Sequence, residues 1–135
     1  MKWYLKVLKQ YADFSGRARR TEYWMFALFN MLIVFSLVLI SVIIGGILGG
    51  GDGAATGSTA GLVLYSIYAI FVFIPALAVV VRRLHDTGKG GGWVFITFVP
   101  LIGSLWFLVL MIQDGESGSN RFGANPKELS IESPY

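Results

Sequence analysis

The sequence predicts an all-α integral membrane protein: an N-terminal amphipathic interfacial helix followed by three transmembrane helices. Three observations predict it. First, three runs of twenty residues, Met25–Ile44, Leu62–Val81 and Trp93–Ile112, contain no Asp, Glu, Lys, Arg or His. Twenty helical residues rise about 30 Å, the thickness of a bilayer's hydrocarbon core. Second, hydrophobic residues make up 55% of the 135-residue chain and charged ones 14%, against roughly 25% charged in a soluble domain. Too little polar sequence remains to wrap a soluble core around three such runs. Third, the charge is lopsided. Nine of the eleven basic residues lie before the first run or between the second and third, and the 45–61 connection has none. Cytoplasmic loops carry the excess of Lys and Arg, which places the N-terminus and the 82–92 loop in the cytoplasm. Three spans then leave the tail outside. The expected organisation is one membrane domain over residues 1–126, with spans at about 25–44, 62–81 and 93–112, and a mobile tail at 127–135.

Residues 2–14 read as an amphipathic helix at 100° per residue. Lys2, Lys6, Lys9 and Asp13 share one arc, and Trp3, Tyr4, Val7, Leu8, Tyr11 and Phe14 fill the other. Such a helix is suited to the headgroup plane or to packing on the ends of the spans. Ser15 and Gly16 end it, with Ser15 placed to cap the next helix. Glu22 is expected to pair with Arg19 three residues earlier, and Tyr23 and Trp24 stand as interfacial anchors. The lead before the first run is 24 residues and the run itself twenty. A cleaved signal sequence has an apolar region of about 7–15 residues, so the first run is expected to remain as a span.

Within that run Asn30, Ser36 and Ser41 are the polar exceptions, expected to hydrogen-bond across helices. The Gly45–Gly61 connection holds eight glycines and a single charge, Asp52, the composition of a flexible linker. Its Gly46 and Gly50 make a GxxxG pair that falls past the span and reads as loop. Pro75 predicts a kink in the second span, and Pro100 with Gly103 another in the third. A re-entrant hairpin turning at Pro100 is the alternative. Its first arm has only seven residues, too short to span, and it would bring the tail to the cytoplasm.

Enzymatic chemistry finds little footing. The chain has no cysteine, hence no disulfide, thiolate metal site or cysteine nucleophile. His85 is the single histidine, so His85-Asp86 has no partners for a histidine-rich metal site. Thr87-Gly-Lys-Gly90 fails the phosphate-loop pattern, which needs Gly at position 83 and Ser or Thr at 90, where Arg83 and Gly90 stand. No GxSxG serine accompanies the adjacent His85 and Asp86. What remains is a basic cytoplasmic cluster: Arg17, Arg19, Arg20, Glu22, Arg82, Arg83, His85, Asp86 and Lys89. It reads as topology-setting charge, as a polar network, or as a site for anionic lipid headgroups. In the network, Asp86 pairs with one of the arginines at 17, 19 or 20, which grip carboxylates bidentately, and His85 braces that pair or responds to pH.

Four motifs occur in order: Phe14-Ser-Gly-Arg-Ala-Arg-Arg-Thr-Glu-Tyr-Trp24, Arg82-Arg-Leu-His-Asp-Thr-Gly88, Pro100-Leu-Ile-Gly103 and Asn120-Arg-Phe-Gly123. On these the chain resembles the bacterial domain of unknown function 805 family, over residues 3 to about 126. The family's tail motif usually continues Pro-Asp-Pro, where this chain has Ala124-Asn125-Pro126. The resemblance implies a small multi-pass protein of the bacterial inner membrane and supplies no activity. The expected function is a non-enzymatic interaction or scaffold protein, its basic cytoplasmic surface docking a partner or anionic lipid. A homo-oligomeric channel or transporter for small solutes or ions is the alternative. Expected partners are the lipid bilayer, anionic headgroups, and a second copy or another membrane protein. No cofactor, metal or nucleic acid is expected.

Overall fold

The computed structural model describes residues 1–48 and 50–132. Five α-helices follow one another: α1 (Lys2–Lys9), α2 (Arg20–Leu48), α3 (Gly53–Asp86), α4 (Gly103–Ile112) and α5 (Pro126–Glu132). A 3-10 turn, Gly50–Asp52, joins α2 to α3, and a 3-10 helix, Gly91–Phe98, precedes α4. Among the described residues no strand forms. α2 and α3 are both long and apolar enough to cross a membrane. At 1.5 Å per residue they run about 44 and 51 Å, beyond the roughly 30 Å required. The chain divides into two compact units, residues 27–74 and residues 1–26 with 75–135.

The first of these is a helical hairpin, and the sequence reading of its centre needs correcting. The Gly45–Gly61 connection is no linker: α2 continues to Leu48 and α3 begins at Gly53. The glycines are contact surface. A Cβ on Gly45 or Gly53 would strike the other helix's backbone, and one on Gly57 would strike the Ser41 carbonyl. Gly61 lies against the Ser41 side chain. Gly53, Gly57 and Gly61 recur every four residues and so share one face of α3, facing Ser41 and Gly45 of α2. In lipid, where apolar side chains gain nothing by leaving their solvent, small residues let backbones approach closely. Gly46 does point away from this seam, with open space where its Cβ would be.

Asn30 behaves as expected: the Tyr68 hydroxyl donates to its Oδ1 at 2.5 Å across the hairpin. The serines do not. Ser36 and Ser41 donate to Leu32 O and Leu37 O of their own helix, four residues back, satisfying themselves locally. Phe35, Ile40, Ile43, Ile67, Ile70 and Phe73 are among the apolar side chains left exposed, as a hydrocarbon surrounding permits.

In the other unit, α1 ends at Lys9 rather than near residue 14. Ser15 does not cap α2. Its backbone N–H and its hydroxyl both donate to Asp13 Oδ1, at 3.0 and 2.5 Å. Gly16 follows at φ +76°, the left-handed region where glycine is at ease, and α2 begins only at Arg20.

The third apolar run is not one helix. Proline disfavours the helical region for the residue before it and has no N–H to give; Val99 is accordingly extended at φ −76°, ψ 117°. Leu101 then takes φ +67° and Ile102 N donates to Pro100 O at 2.7 Å, a γ-turn, before α4 starts. Gly103 closes the turn against the Ile96 carbonyl, where a Cβ has no room. The arms on either side pack together, and neither is long enough to span. Eight residues of 3-10 helix rise about 16 Å and ten of α-helix about 15 Å. The expected third span is therefore replaced by a helical hairpin turning at Pro100. Its Leu110 and Met111 form a buried cluster with Leu84, against which Tyr23, Val80, Val94 and Phe107 pack.

The polar stretch after α4 returns to this unit's other end. Asn125 Oδ1 accepts from Lys127 N at 3.0 Å and caps α5, in the place expected for the tail.

Candidate functional site

Five of the nine residues in the sequence-predicted cluster are buried: Arg17, Glu22, Arg82, Arg83 and Asp86. Arg82, Arg83 and Asp86 lie at the C-terminal end of α3, Glu22 in the first turn of α2, and Arg17 in the non-helical segment before it. That segment is tied on by Ala18 N, which donates to Arg82 O at 2.9 Å.

Asp86 is the hub. Its Oδ1 accepts from Arg17 Nε at 2.9 Å, and its Oδ2 from Arg83 Nη1 at 2.6 Å. The backbone carbonyl of Asp86 accepts from Glu116 N at 2.8 Å. Arg17 spends its other donors on carbonyls of the C-terminal stretch, Glu116 O at 2.5 Å and Gly118 O at 2.7 Å. Arg83 reaches Met111 O at 3.3 Å and also Gln113 O. The attraction in a buried ion pair offsets its desolvation best when the remaining polar atoms are satisfied, and around Asp86 backbone carbonyls from residues 111–118 do that. The pairing of Asp86 with an arginine before α2 was legible in the sequence. The carbonyls were not.

Glu22 forms a second, separate group. Rather than turning to Arg19, it accepts from Lys6 Nζ of α1 at 2.6 Å and lies 3.4 Å from Arg82 Nη1. Arg82 Nη1 also donates to Gln10 Oε1. Glu22 Oε1 and Arg82 Nε and Nη2 are buried without a hydrogen-bond partner, so charge rather than hydrogen bonding binds this pair. Lys6 and Gln10 were absent from the predicted cluster. Lys6 shared an arc with Lys2 and Lys9 and read as surface.

The remaining members lie nearer the surface. Arg20 pairs with Asp114 at 2.8 Å and donates to Ile112 O at 3.1 Å. Arg19 donates twice to Pro126 O. Asp114 also accepts from Lys127 at 3.1 Å. That bond, and then the charge of Arg20, hold its carboxyl below the ordinary carboxylate value. His85 does not brace the Asp86 pair. Its Nδ1 faces Gly16 O at 3.1 Å, so that nitrogen carries the proton. Its ring stacks on Phe122 at 3.8 Å between centroids. Asn120 Nδ2 donates to His85 O at 3.0 Å, which gives the Asn120-Arg-Phe-Gly123 motif its contact. Lys89 is half-buried on the turn after α3. In the tail, Gly115 lies so close that a Cβ there would strike the Asp86 carboxylate.

An all-helical chain with two membrane-length helices, its N-terminal segment bound to the end of α3 by buried guanidinium–carboxylate pairs and to the C-terminal stretch through backbone carbonyls, defines a class of small helical membrane protein. Within that class the chain belongs to the family described as "Protein of unknown function (DUF805)", whose pattern matches residues 11–124. It is 45% identical over 127 residues to the inner membrane protein YhaI of Escherichia coli K12, covering 94% of this chain and 97% of that one. To the inner membrane protein YhaH of the same strain it is 46% identical over 127 residues, covering 94% and 98%. No solved structure matches.

Proposed function

We propose that this is a multi-pass protein of the bacterial inner membrane without a catalytic role, an interaction protein whose basic cytoplasmic surface docks anionic lipid or a partner protein. One observation carries the reading. The buried charges of the cluster are consumed in pairing with one another and with backbone carbonyls. Buried and internally paired, Arg17, Arg82, Arg83 and Asp86 clamp chain segments together. Docking falls to the basic groups left accessible around them, Lys2, Lys9, Arg20 and Lys89 among them. Lys2, Lys6 and Lys9 with Leu5 and Gln10 line an open groove on α1, in keeping with an interfacial helix. Each such cation near an anionic surface adds about 1 kcal/mol of attraction.

The same geometry supports a topology with both chain ends in the cytoplasm. Arg17 and Arg19 bond to residues 116–126, which a bilayer between them would forbid. The hairpin at Pro100 then enters and returns on one side, and α2 and α3 are the two spans.

The test is native mass spectrometry of the protein extracted into lipid nanodiscs, with every co-purifying species identified. The expected result is a monomer or dimer carrying anionic lipid or one defined protein, lost when Lys2, Lys9 and Lys89 are changed together to Gln. A symmetric oligomer that carries solute flux across liposomes overturns the reading in favour of a channel.

A further inference from the structure

We propose that the cleft between the turn Gly90–Trp93 and Arg121 is a binding site for the phosphate-bearing headgroup of an anionic phospholipid. The proposal rests on the lipid-docking reading above and gives it a place. The cleft is open, about 510 Å³, and lined by Gly90, Gly92, Trp93, Ile96 and Arg121, within the range of small-molecule sites. Among the described residues no carboxylate lines it.

Arg121 differs from the arginines of the clamp. Arg17, Arg20, Arg82 and Arg83 each face a carboxylate. Arg121 donates to Gly88 O at 3.3 Å and lies over the Phe122 ring at 4.7 Å. Among the described residues no carboxylate pairs with it. A guanidinium held in place by a carbonyl and a ring, with no carboxylate in direct pairing, is fitted to grip a phosphate.

The two glycines are the second observation. A Cβ on Gly90 or Gly92 would meet open space, and neither takes a positive φ. Gly91 between them is pressed on Val81. The fold thus requires no glycine at 90 or 92, although each costs about 0.5–1 kcal/mol relative to Ala in regular structure. These two line the cleft, where a missing side chain lets a ligand reach the backbone.

The lipid source follows from position. Trp93 is exposed and opens the apolar run that ends at Ile112, so the cleft marks the level where polar chain gives way to apolar. Tryptophan favours that level of a bilayer. Ile96, one turn on, offers an apolar wall to the glycerol and acyl carbons.

The experiment compares nanodiscs of phosphatidylglycerol and phosphatidylcholine, counting retained lipids by native mass spectrometry. The expected result is a phosphatidylglycerol preference in the natural protein that falls about fivefold in Arg121→Gln and also in Gly92→Val. Thermal midpoints should be unchanged, and Lys9→Gln should keep the cleft-bound lipid. Gly90→Ala, which fills the cleft by one methyl, serves if Gly92→Val does not fold. If the natural protein prefers phosphatidylglycerol and the cleft variants prefer it equally, the cleft assignment is overturned while the docking reading stands. If the natural protein shows no preference, the cleft assignment falls together with the anionic-lipid form of the docking reading. If inorganic phosphate alone saturates the site in detergent and displaces phosphatidylglycerol, the site serves free anions and the lipid assignment is overturned.

Discussion

In residues 27–74, two helices approach until the glycines of one meet backbone of the other. In residues 1–26 and 75–135, the approaches are made by arginines, carboxylates and carbonyls. The difference teaches how each can fail. A seam of glycines has nothing to remove and breaks by addition. The ion-pair network around Asp86 has its charges compensated and breaks by subtraction, because each lost partner leaves a charge without compensation.

The largest effect is expected from subtraction at the hub. Asp86→Ala strands Arg17 and Arg83 among buried groups and should destabilise the protein by about 3–5 kcal/mol, read as a lowered thermal midpoint in nanodiscs. A midpoint within a degree or two of the natural protein would show that carbonyls alone can hold both guanidiniums.

Addition at the seam comes next. Gly57→Leu drives a side chain into the Ser41 carbonyl and should cost about 1–3 kcal/mol or more. Gly46→Ala, which enters open space on the same hairpin, should be neutral or stabilise by up to about 1 kcal/mol. Equal effects of the two on the midpoint would mean the seam does not bear the packing.

A single subtraction within the hairpin sharpens the contrast. Tyr68→Phe removes the hydrogen bond to Asn30 and should cost about 1 kcal/mol, well short of Asp86→Ala. A loss as large as that of Asp86→Ala would place a second hub in the hairpin.

The smallest effect is one of pH, at the exposed rim. The Asp114 carboxyl is depressed in the folded protein, so the unfolded chain binds its proton first as pH falls. Its contribution is complete above the ordinary carboxylate value and is lost as pH drops through the lower folded value. Lys127→Ala removes the largest cause of that depression. Acid unfolding curves of the variant and the natural protein should therefore converge at the acid end and separate slightly above it. A difference confined to the acid end would contradict the assignment.

Several of these features could be read from residues alone. Asn30 stood out because an amide in an apolar run needs a partner. Asp86 stood out because a carboxylate among arginines needs one too. Glu22 misled: Arg19, three residues earlier, stands one helical turn away, and its partners proved to be Lys6 and Arg82, 16 and 60 residues away. The 45–61 connection misled for a different reason. Glycine is a signal both for a flexible loop and for close helix packing, and the contacts of Gly53, Gly57 and Gly61 with α2 are what distinguish them.

By itself the sequence determined that the chain is helical and membrane-bound, which end carries positive charge, and which polar residues need partners. Those properties come from composition and from spacing along one segment, summed locally. Only the tertiary structure decided that the third run folds back at Pro100, that glycines line a seam, and that residues 111–126 close over the arginines. Each of those depends on which surfaces meet once the chain has folded, from the adjoining arms at Gly103 to the 107 residues between Arg19 and Pro126, and a carbonyl or a missing side chain leaves no mark in the sequence to say what it will face.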